Sequence, residues 1–234
     1  MIDRARAEPI DDFRAFGIEA FTTTREQGTF GTSGTEPVSE VMDRWSGLQT
    51  ALAPVAPRLV TARQVHGARV VVHAGGWRGW LRIADADGHI ATERGTAMAV
   101  TVADCVPVFV AHPSGTAALL HAGWRGTVAG ILPAALSALA GRDLPLGELA
   151  VHLGPAICGR CYEVSPDVHR QLTGRAVERP TAVDLRAVLA GQARDRGVRD
   201  ITVSSLCTRC DQNRFFSHRG GDPGRQIGVL VVPE

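Results

Sequence analysis

The chain is predicted to form an α/β (α+β) fold, a single domain over residues 1–234 in which helices flank a mixed β-sheet. Three observations predict it. Short apolar runs of strand length alternate with stretches whose apolar positions recur every three or four residues. Hydrophobic residues make up 44% of the sequence, enough to build a packed core. No linker, internal repeat or low-complexity block divides the chain.

Phe13 to Thr24 alternates loosely and reads as a first strand, followed by a glycine- and threonine-rich loop over 26–39. Val41, Trp45, Leu48 and Leu52 are spaced by four, three and four, which predicts a helix closed by Pro54 and Pro57. Two strands follow, Leu59 to Ala62 and Arg69 to His73, on either side of Arg63-Gln64-Val65-His66-Gly67. Residues 74–82 hold Gly75, Gly76 and Gly79 and are expected to be a loop that Trp77 and Trp80 help to pack. Asp85-Ala86-Asp87-Gly88 reads as a turn into a strand from His89 to Thr92.

Met98 to Val102 and Thr116 to Leu120 are apolar runs separated by the turn residues Pro113-Ser114-Gly115, which mark a reversal between strands. Val128 to Leu139 has near-helical spacing, and Leu149 to Leu153 is a short strand. Ser165-Pro166-Asp167 opens a helix with serine at the N-cap, proline in the first turn and aspartate at the positive end of the dipole. A further helix runs from Val183 to Arg196, starting at Asp184. The strands Ile201 to Ser205 and Gln226 to Val232 complete the chain.

The net charge is +1 and the charges are dispersed, so neither nucleic acid nor a membrane surface is expected as a partner. All 25 basic residues are arginine, which excludes a Schiff-base lysine and a P-loop lysine. Met1 to Phe13 is charged and lacks an apolar core, so no signal peptide is expected. No run approaches the ~18 apolar residues of a membrane span. A cytoplasmic location is expected, where the five cysteines stay reduced; the odd number argues against a complete disulfide framework.

The chain is organised around Thr101 to Gly126. One apolar run leads into Asp104-Cys105 and the next ends at His121, before the glycine-rich Ala122-Gly123-Trp124-Arg125-Gly126. Polar residues at strand ends beside glycine are held rigidly and leave a ligand room to approach. Cys105 and His121, with His66, are a candidate set of three zinc ligands that leaves the fourth tetrahedral corner open. Their spacings match no short zinc pattern. The competing reading is a small buried thiol with two histidines satisfied by backbone.

At Arg63-Gln64-Val65-His66-Gly67, Val102-Ala103-Asp104-Cys105-Val106-Pro107 and His121-Ala122-Gly123-Trp124-Arg125-Gly126 the chain resembles the laccase-domain family. That family is also called polyphenol oxidase or peptidoglycan editing factor, and its members act as zinc-dependent purine nucleoside phosphorylases. Further matching blocks are Gly154-Pro155-Ala156-Ile157, Cys161-Tyr162-Glu163-Val164, Cys207-Thr208, Phe215-Phe216-Ser217-His218-Arg219 and Gly224-Arg225. The resemblance implies that His66, Cys105 and His121 hold the zinc. It implies phosphorolysis of adenosine, inosine or guanosine to a free base and ribose 1-phosphate, with adenosine deamination and methylthioadenosine cleavage as family side activities. Purine nucleosides and phosphate are the implied partners. In the N-terminal block Phe21-Thr22-Thr23-Thr24-Arg25 fits, but Glu26 to Pro37 replaces the glycine-rich turn and asparagine-leucine segment usual in the family.

Arg63 and Arg125 lie within four residues of a proposed ligand and Arg219 lies in a matching block, so the three are assigned jointly to phosphate or substrate anion. A structural ion pair is the alternative for each. Asp104 is assigned to orient a ligand or move a proton, against a strand-end hydrogen bond to backbone. The two Cys-x-x-C pairs, Cys158/Cys161 and Cys207/Cys210, stand 45 residues apart, where a zinc ribbon has about 15–20. On spacing they are expected to be reduced thiols, with a second, structural zinc site as the alternative.

Three rival functions remain open. One is a cysteine hydrolase acting on peptidoglycan precursors, with Cys105 as nucleophile and His121 or His66 as base. Another is a non-catalytic zinc-binding module. Copper-dependent phenol oxidation is the third, and the other six histidines show no sequence cluster that would serve it.

Overall fold

The computed structural model describes residues 7–234; Met1 to Arg6, part of the charged start, lie outside the described residues. The elements in chain order are β1 (Glu8–Ile10), β2 (Glu19–Thr22), α1 (Val38–Leu52), β3 (Arg58–Ala62), β4 (Val70–His73), β5 (Gly79–Ile83) and β6 (Gly88–Ala91). Next come β7 (Thr96–Val102), β8 (Val106–Ala111), β9 (Ala117–Ala122), α2 (Trp124–Val128), α3 (Ile131–Ala140) and β10 (Ala150–Leu153). The chain ends with β11 (Glu163–Val164), α4 (Pro166–Thr173), β12 (Thr181–Ala182), α5 (Leu185–Asp195), β13 (Asp200–Val203) and β14 (Gln226–Val232).

The α/β class with mixed pairing and flanking helices holds; twelve strands divide between two six-stranded sheets, and β11 and β12 pair as a separate two-stranded sheet. One sheet runs β1-β2-β14-β7-β3-β5, the other β13-β10-β8-β9-β6-β4. Each mixes parallel and antiparallel neighbours: β3 is parallel to β5 and β7, while β14 is antiparallel to β2 and β7. In the second sheet β10 is parallel to β13 and antiparallel to β8.

Side-chain alternation decides how the sheets stack. Met98, Val100 and Val102 of β7 meet Phe109 of β8 and Leu119 of β9 in a core between the two sheets. Ala97 and Ala99, on the opposite face of β7, pack with Val41, Trp45, Leu48 and Leu52 of α1. Val106, Val108 and Val110 of β8 and Leu120 of β9 face Ile131, Leu136 and Leu139 of α3 and Leu189 of α5. The result is four layers: helix, sheet, sheet, helices. The central strands are buried on both faces, which is why they read as unbroken apolar runs.

Three local readings change. The segment expected to be a loop over 74–82 contains β5, because Trp80, Leu81 and Ile83 pair in parallel with β3 and Trp80 stacks on Trp45 at 5.3 Å. The expected helix from Val128 to Leu139 is two helices, broken at Gly130, whose φ of 78° is left-handed. The expected first strand shrinks to β2, because Asp11–Phe16 forms a 3-10 helix that buries Phe13. The caps at Ser165 and Asp184 form as expected: each side chain accepts backbone N–H groups of its own helix.

Candidate metal centre

The β8–β9 ladder pairs Pro107 with His121, which brings Cys105, two residues upstream, to the same end of the sheet as the His121 ring. The β6–β9 ladder pairs Gly88 with Leu120, so Asp87 falls beside His121. His66 comes from the loop between β3 and β4. Its backbone is left-handed, with φ 59°.

Asp87 holds this arrangement together. Its carboxylate is fully buried and accepts the backbone N–H groups of His66 at 2.9 Å, Gly67 at 2.8 Å and Val65 at 3.2 Å. The Nδ1–H of His121 donates to its Oδ1 at 2.8 Å. Burial works against the ionised carboxyl, but the hydrogen bonds from His121 and from the Gly67 and Val65 amides, with the charge of His121, hold its pKa below the ordinary value. One carboxylate thus fixes the strained His66 loop and sets the His121 tautomer, leaving Nε2 for a ligand.

The ligand atoms of His66, Cys105 and His121 lie within 4.8 Å of one another. The two imidazole rings meet edge-on, with centroids 4.8 Å apart and planes at 74°. A Cβ on Gly123 would sit 2.8 Å from Cys105 Sγ and 3.2 Å from His66 Cδ2, so the absence of a side chain there is what lets the three groups converge. Burial pushes the Cys105 thiol up, but the charge of His121 and hydrogen bonds from His121 and His66 outweigh it, and the thiol falls to about 6. Burial likewise disfavours the His121 imidazolium, and the Cys105 charge with the Asp87 hydrogen bond raises that group to about 9. A thiolate and two imidazoles, one backed by a buried carboxylate, form a donor set that fits a borderline-soft metal such as zinc.

The group opens into a cleft of about 660 Å³ whose lining includes Arg63, Arg82, Arg125 and Arg225. Arg63 is ion-paired with Asp85. Arg125 lies over the Trp124 ring at 4.5 Å, and neither it nor Arg82 makes an ion pair among the described residues. Arg225 Nη1 donates to the carbonyls of Gly224 at 2.7 Å and Pro223 at 3.1 Å. Phe30 to Ser33, from the segment where the chain departs from the family pattern, also line the cleft, together with Trp45 and Trp80.

The structure therefore brings His66, Cys105, His121, Arg63 and Arg125 together. Arg219 and Asp104 are not among the lining residues. The Arg219 guanidinium donates to the Glu163 carbonyl at 2.8 Å and lies over Tyr162. Asp104, with φ 80°, accepts Thr208 Oγ1 at 2.6 Å on one carboxylate oxygen and the Arg219 backbone N–H at 2.6 Å on the other. Both of its carboxylate oxygens are thus engaged outside the cleft. Sequence reasoning missed Asp87, Arg82 and Arg225. Asp87 looked like a turn residue, and only its place directly before a strand hinted that it would be buried.

Fold and site together define an α/β protein with three convergent side chains that could hold a metal ion in an arginine-lined cleft. The chain belongs to the family described as multi-copper polyphenol oxidoreductase laccase, whose model matches residues 21–233. It is 39% identical over 183 residues to a purine nucleoside phosphorylase of Streptomyces coelicolor, covering 74% of each chain. It is 32% identical over 232 residues to adenosine deaminase RL5 of an unknown prokaryotic organism, covering 87% of this chain and 88% of that one. Among solved structures, YlmD from Geobacillus stearothermophilus superposes with a TM-score of 0.86 at 30% identity, over 94% of both chains. No helix of the described residues is long and apolar enough to cross a membrane.

Proposed function

We propose that the chain is a zinc-dependent purine nucleoside phosphorylase, converting adenosine, inosine or guanosine and phosphate to free base and ribose 1-phosphate. The observation that carries this reading is the cleft that joins His66, Cys105 and His121 to four arginines. Relatives named purine nucleoside phosphorylase support it. The relative named adenosine deaminase supports deamination as a second activity. Methylthioadenosine is a further expected substrate. A cytoplasmic location agrees with five free cysteines.

Zinc held by His66, Cys105 and His121 would supply a Lewis acid inside the cleft. Asp87 keeps His121 in the tautomer that presents Nε2. Arg125 and Arg82 offer planar, permanently charged donors to a phosphate, and charge-assisted bonds of this kind gain strength in a sheltered cleft. As the glycosidic bond breaks, negative charge moves from the entering phosphate to the leaving base, and fixed guanidinium groups offset it without reorganising. Trp80, partly exposed, gives the same cleft aromatic surface for a planar base. The family's copper label receives little support from this donor set: the two possible metal groups among the described residues are rich in thiol and hold only two histidines between them.

The test is phosphate dependence. Release of free base from inosine should rise with phosphate and nearly vanish without it, while any conversion of adenosine to inosine should proceed without phosphate. Base release at the same rate in phosphate-free buffer would leave a nucleoside hydrolase instead.

One observation favours a second reading. Cys105, His121 and Asp87 form a chain of thiol, imidazole and buried carboxylate, the order of groups in a cysteine hydrolase. A metal-free preparation that hydrolyses cell-wall precursors but leaves nucleosides intact would support it.

A further inference from the structure

Four cysteines outside the cleft gather at one point. Cys158 and Cys161 lie in the segment after β10, and Cys207 and Cys210 in the segment after β13. Their separation of 45 residues in sequence gave no ribbon pattern, but β10 and β13 are parallel neighbours, with Ala150 opposite Asp200 and Leu153 opposite Val203. Parallel strands end at the same edge of a sheet, so the segments that follow them leave side by side, whatever chain lies between. A bridge between Ala156 and Cys207 continues the pairing past the strands, and the Thr208 N–H donates to the Ala156 carbonyl at 3.2 Å.

We propose that Cys158, Cys161, Cys207 and Cys210 bind one thiophilic divalent cation, zinc as the first candidate, in a second metal site with a structural role. All four Sγ atoms lie within 4.8 Å of one another, and those of Cys161 and Cys210 are 3.5 Å apart. A tetrahedral zinc with Zn–S bonds of about 2.3 Å has sulfur–sulfur edges of about 3.8 Å. Closing this group on a metal therefore asks for side-chain shifts of about 1 Å or less. The backbone is arranged for bound thiolates as well. The N–H groups of Cys158 and Cys210 donate to Cys207 Sγ at 3.2 and 3.4 Å, stabilising charge on that sulfur. Each pair is a tight turn, with the Cys161 N–H on the Cys158 carbonyl at 2.9 Å and the Asp211 N–H on the Cys207 carbonyl at 2.9 Å. Arg186 of α5 pins the second segment by donating to the carbonyls of Ser204 at 2.7 Å and Leu206 at 2.8 Å.

Four thiolates fill every corner of a tetrahedral ion, which leaves no position for substrate. The role is a cross-link. Its position gives it a consequence for the cleft, because the same two segments hold Asp104: the Ile157 N–H donates to its carbonyl at 3.1 Å and Thr208 Oγ1 to its carboxylate at 2.6 Å. Asp104 is the neighbour of Cys105. Metal at the four cysteines would brace the strained residue next to the first site.

The test is metal content per chain after purification without added metal, on the full chain and two variants. The wild type should carry two equivalents, Cys105→Ala one, and the double variant Cys161→Ser with Cys210→Ser one, with a lower melting temperature. Metal-stripped Cys105→Ala, titrated with Co2+, should develop the intense thiolate-to-cobalt charge-transfer band and the visible bands of a tetrahedral tetrathiolate site. This arm also decides the matter if the double cysteine variant fails to fold. One equivalent in the wild type that is lost in Cys105→Ala and kept in the double variant overturns the proposal, as does a Cys105→Ala protein that binds cobalt without those bands. A freshly purified chain whose intact mass shows these cysteines as disulfides overturns it too. None of these outcomes depends on phosphorolysis, so the phosphorylase reading stands or falls separately.

Discussion

Asp87 and His121 are joined twice: the His121 backbone N–H donates to the Asp87 carbonyl at 2.7 Å, and its Nδ1–H donates to Asp87 Oδ1 at 2.8 Å. The first bond extends the β6–β9 ladder by one residue, and the second aims the imidazole. Because the same carboxylate takes three amides of the His66 loop, two of the three proposed ligands depend on one buried side chain.

Asp87→Asn tests that dependence. Asparagine keeps the shape but has a single carbonyl oxygen for four donors, so His121 or the His66 loop must lose its partner. Metal affinity should fall roughly ten- to a hundredfold, as for other groups that orient a metal-ligating histidine. Competition against a chromophoric chelator measures it, with circular dichroism to show an intact fold. Unchanged affinity would mean that the ligands are held by something other than Asp87.

Gly123→Ala is a steric probe of the same centre. The added Cβ would stand 2.8 Å from Cys105 Sγ, closer than real contacts allow, and 3.2 Å from His66 Cδ2. Metal content and turnover should fall together. A fully metallated, fully active variant would show that the ligands do not converge as described.

The layered fold was legible where periodicity is strong. Gln226 to Val232 and the run ending in His121 form strands as expected, since two-sided burial leaves an unbroken apolar stretch. What sequence could not supply is what tertiary pairing decides. Trp80 sat among glycines that argue for a loop, and only the parallel neighbour β3 makes β5 a strand. The proposed ligands His66, Cys105 and His121 were singled out through family blocks, because separations of 39 and 16 residues carry no local signal. Asp87 and the meeting of the two cysteine pairs stayed hidden for the same reason. Each depends on strand register and strand neighbours, which have no local signature.

Ionisation of Cys105 gives a pH test on the metal-free protein. Its folded pKa of about 6 lies below the ordinary 9.0, so the favourable contribution is complete above pH 9 and is lost as pH falls through about 6. His121, raised from 6.5 to about 9, runs the other way: its contribution is complete below 6.5 and is lost as pH rises through about 9. The thiolate–imidazolium pair therefore persists between about pH 6 and 9. Alkylation of Cys105 by iodoacetamide should climb through pH 6 and level off by neutral pH, and addition of zinc should suppress it. Rapid alkylation of zinc-loaded protein, with loss of activity and retention of metal, would favour the cysteine hydrolase.

The arginines separate phosphate binding from structure. Arg63 already pairs with Asp85, whereas Arg125 lines the cleft without an ion pair among the described residues. Arg219 spends its guanidinium on the Glu163 carbonyl and the Tyr162 ring. Arg125→Ala should therefore raise the KM for phosphate by roughly ten- to a hundredfold, the equivalent of one charge-assisted bond of about 1.5–3 kcal/mol. Arg125→Lys should recover only part of it, because lysine keeps the charge but loses the two-pronged geometry. Arg63→Ala should cost less, since part of its effect is to leave Asp85 unpaired. Arg219→Ala should leave the KM for phosphate near the wild-type value and lower the melting temperature instead, because its backbone N–H keeps Asp104 while its side chain packs Tyr162. Steady-state kinetics with inosine at varied phosphate measures all four variants. A loss of phosphate affinity in Arg219→Ala equal to that in Arg125→Ala would place the anion outside the cleft, on the side of Glu163.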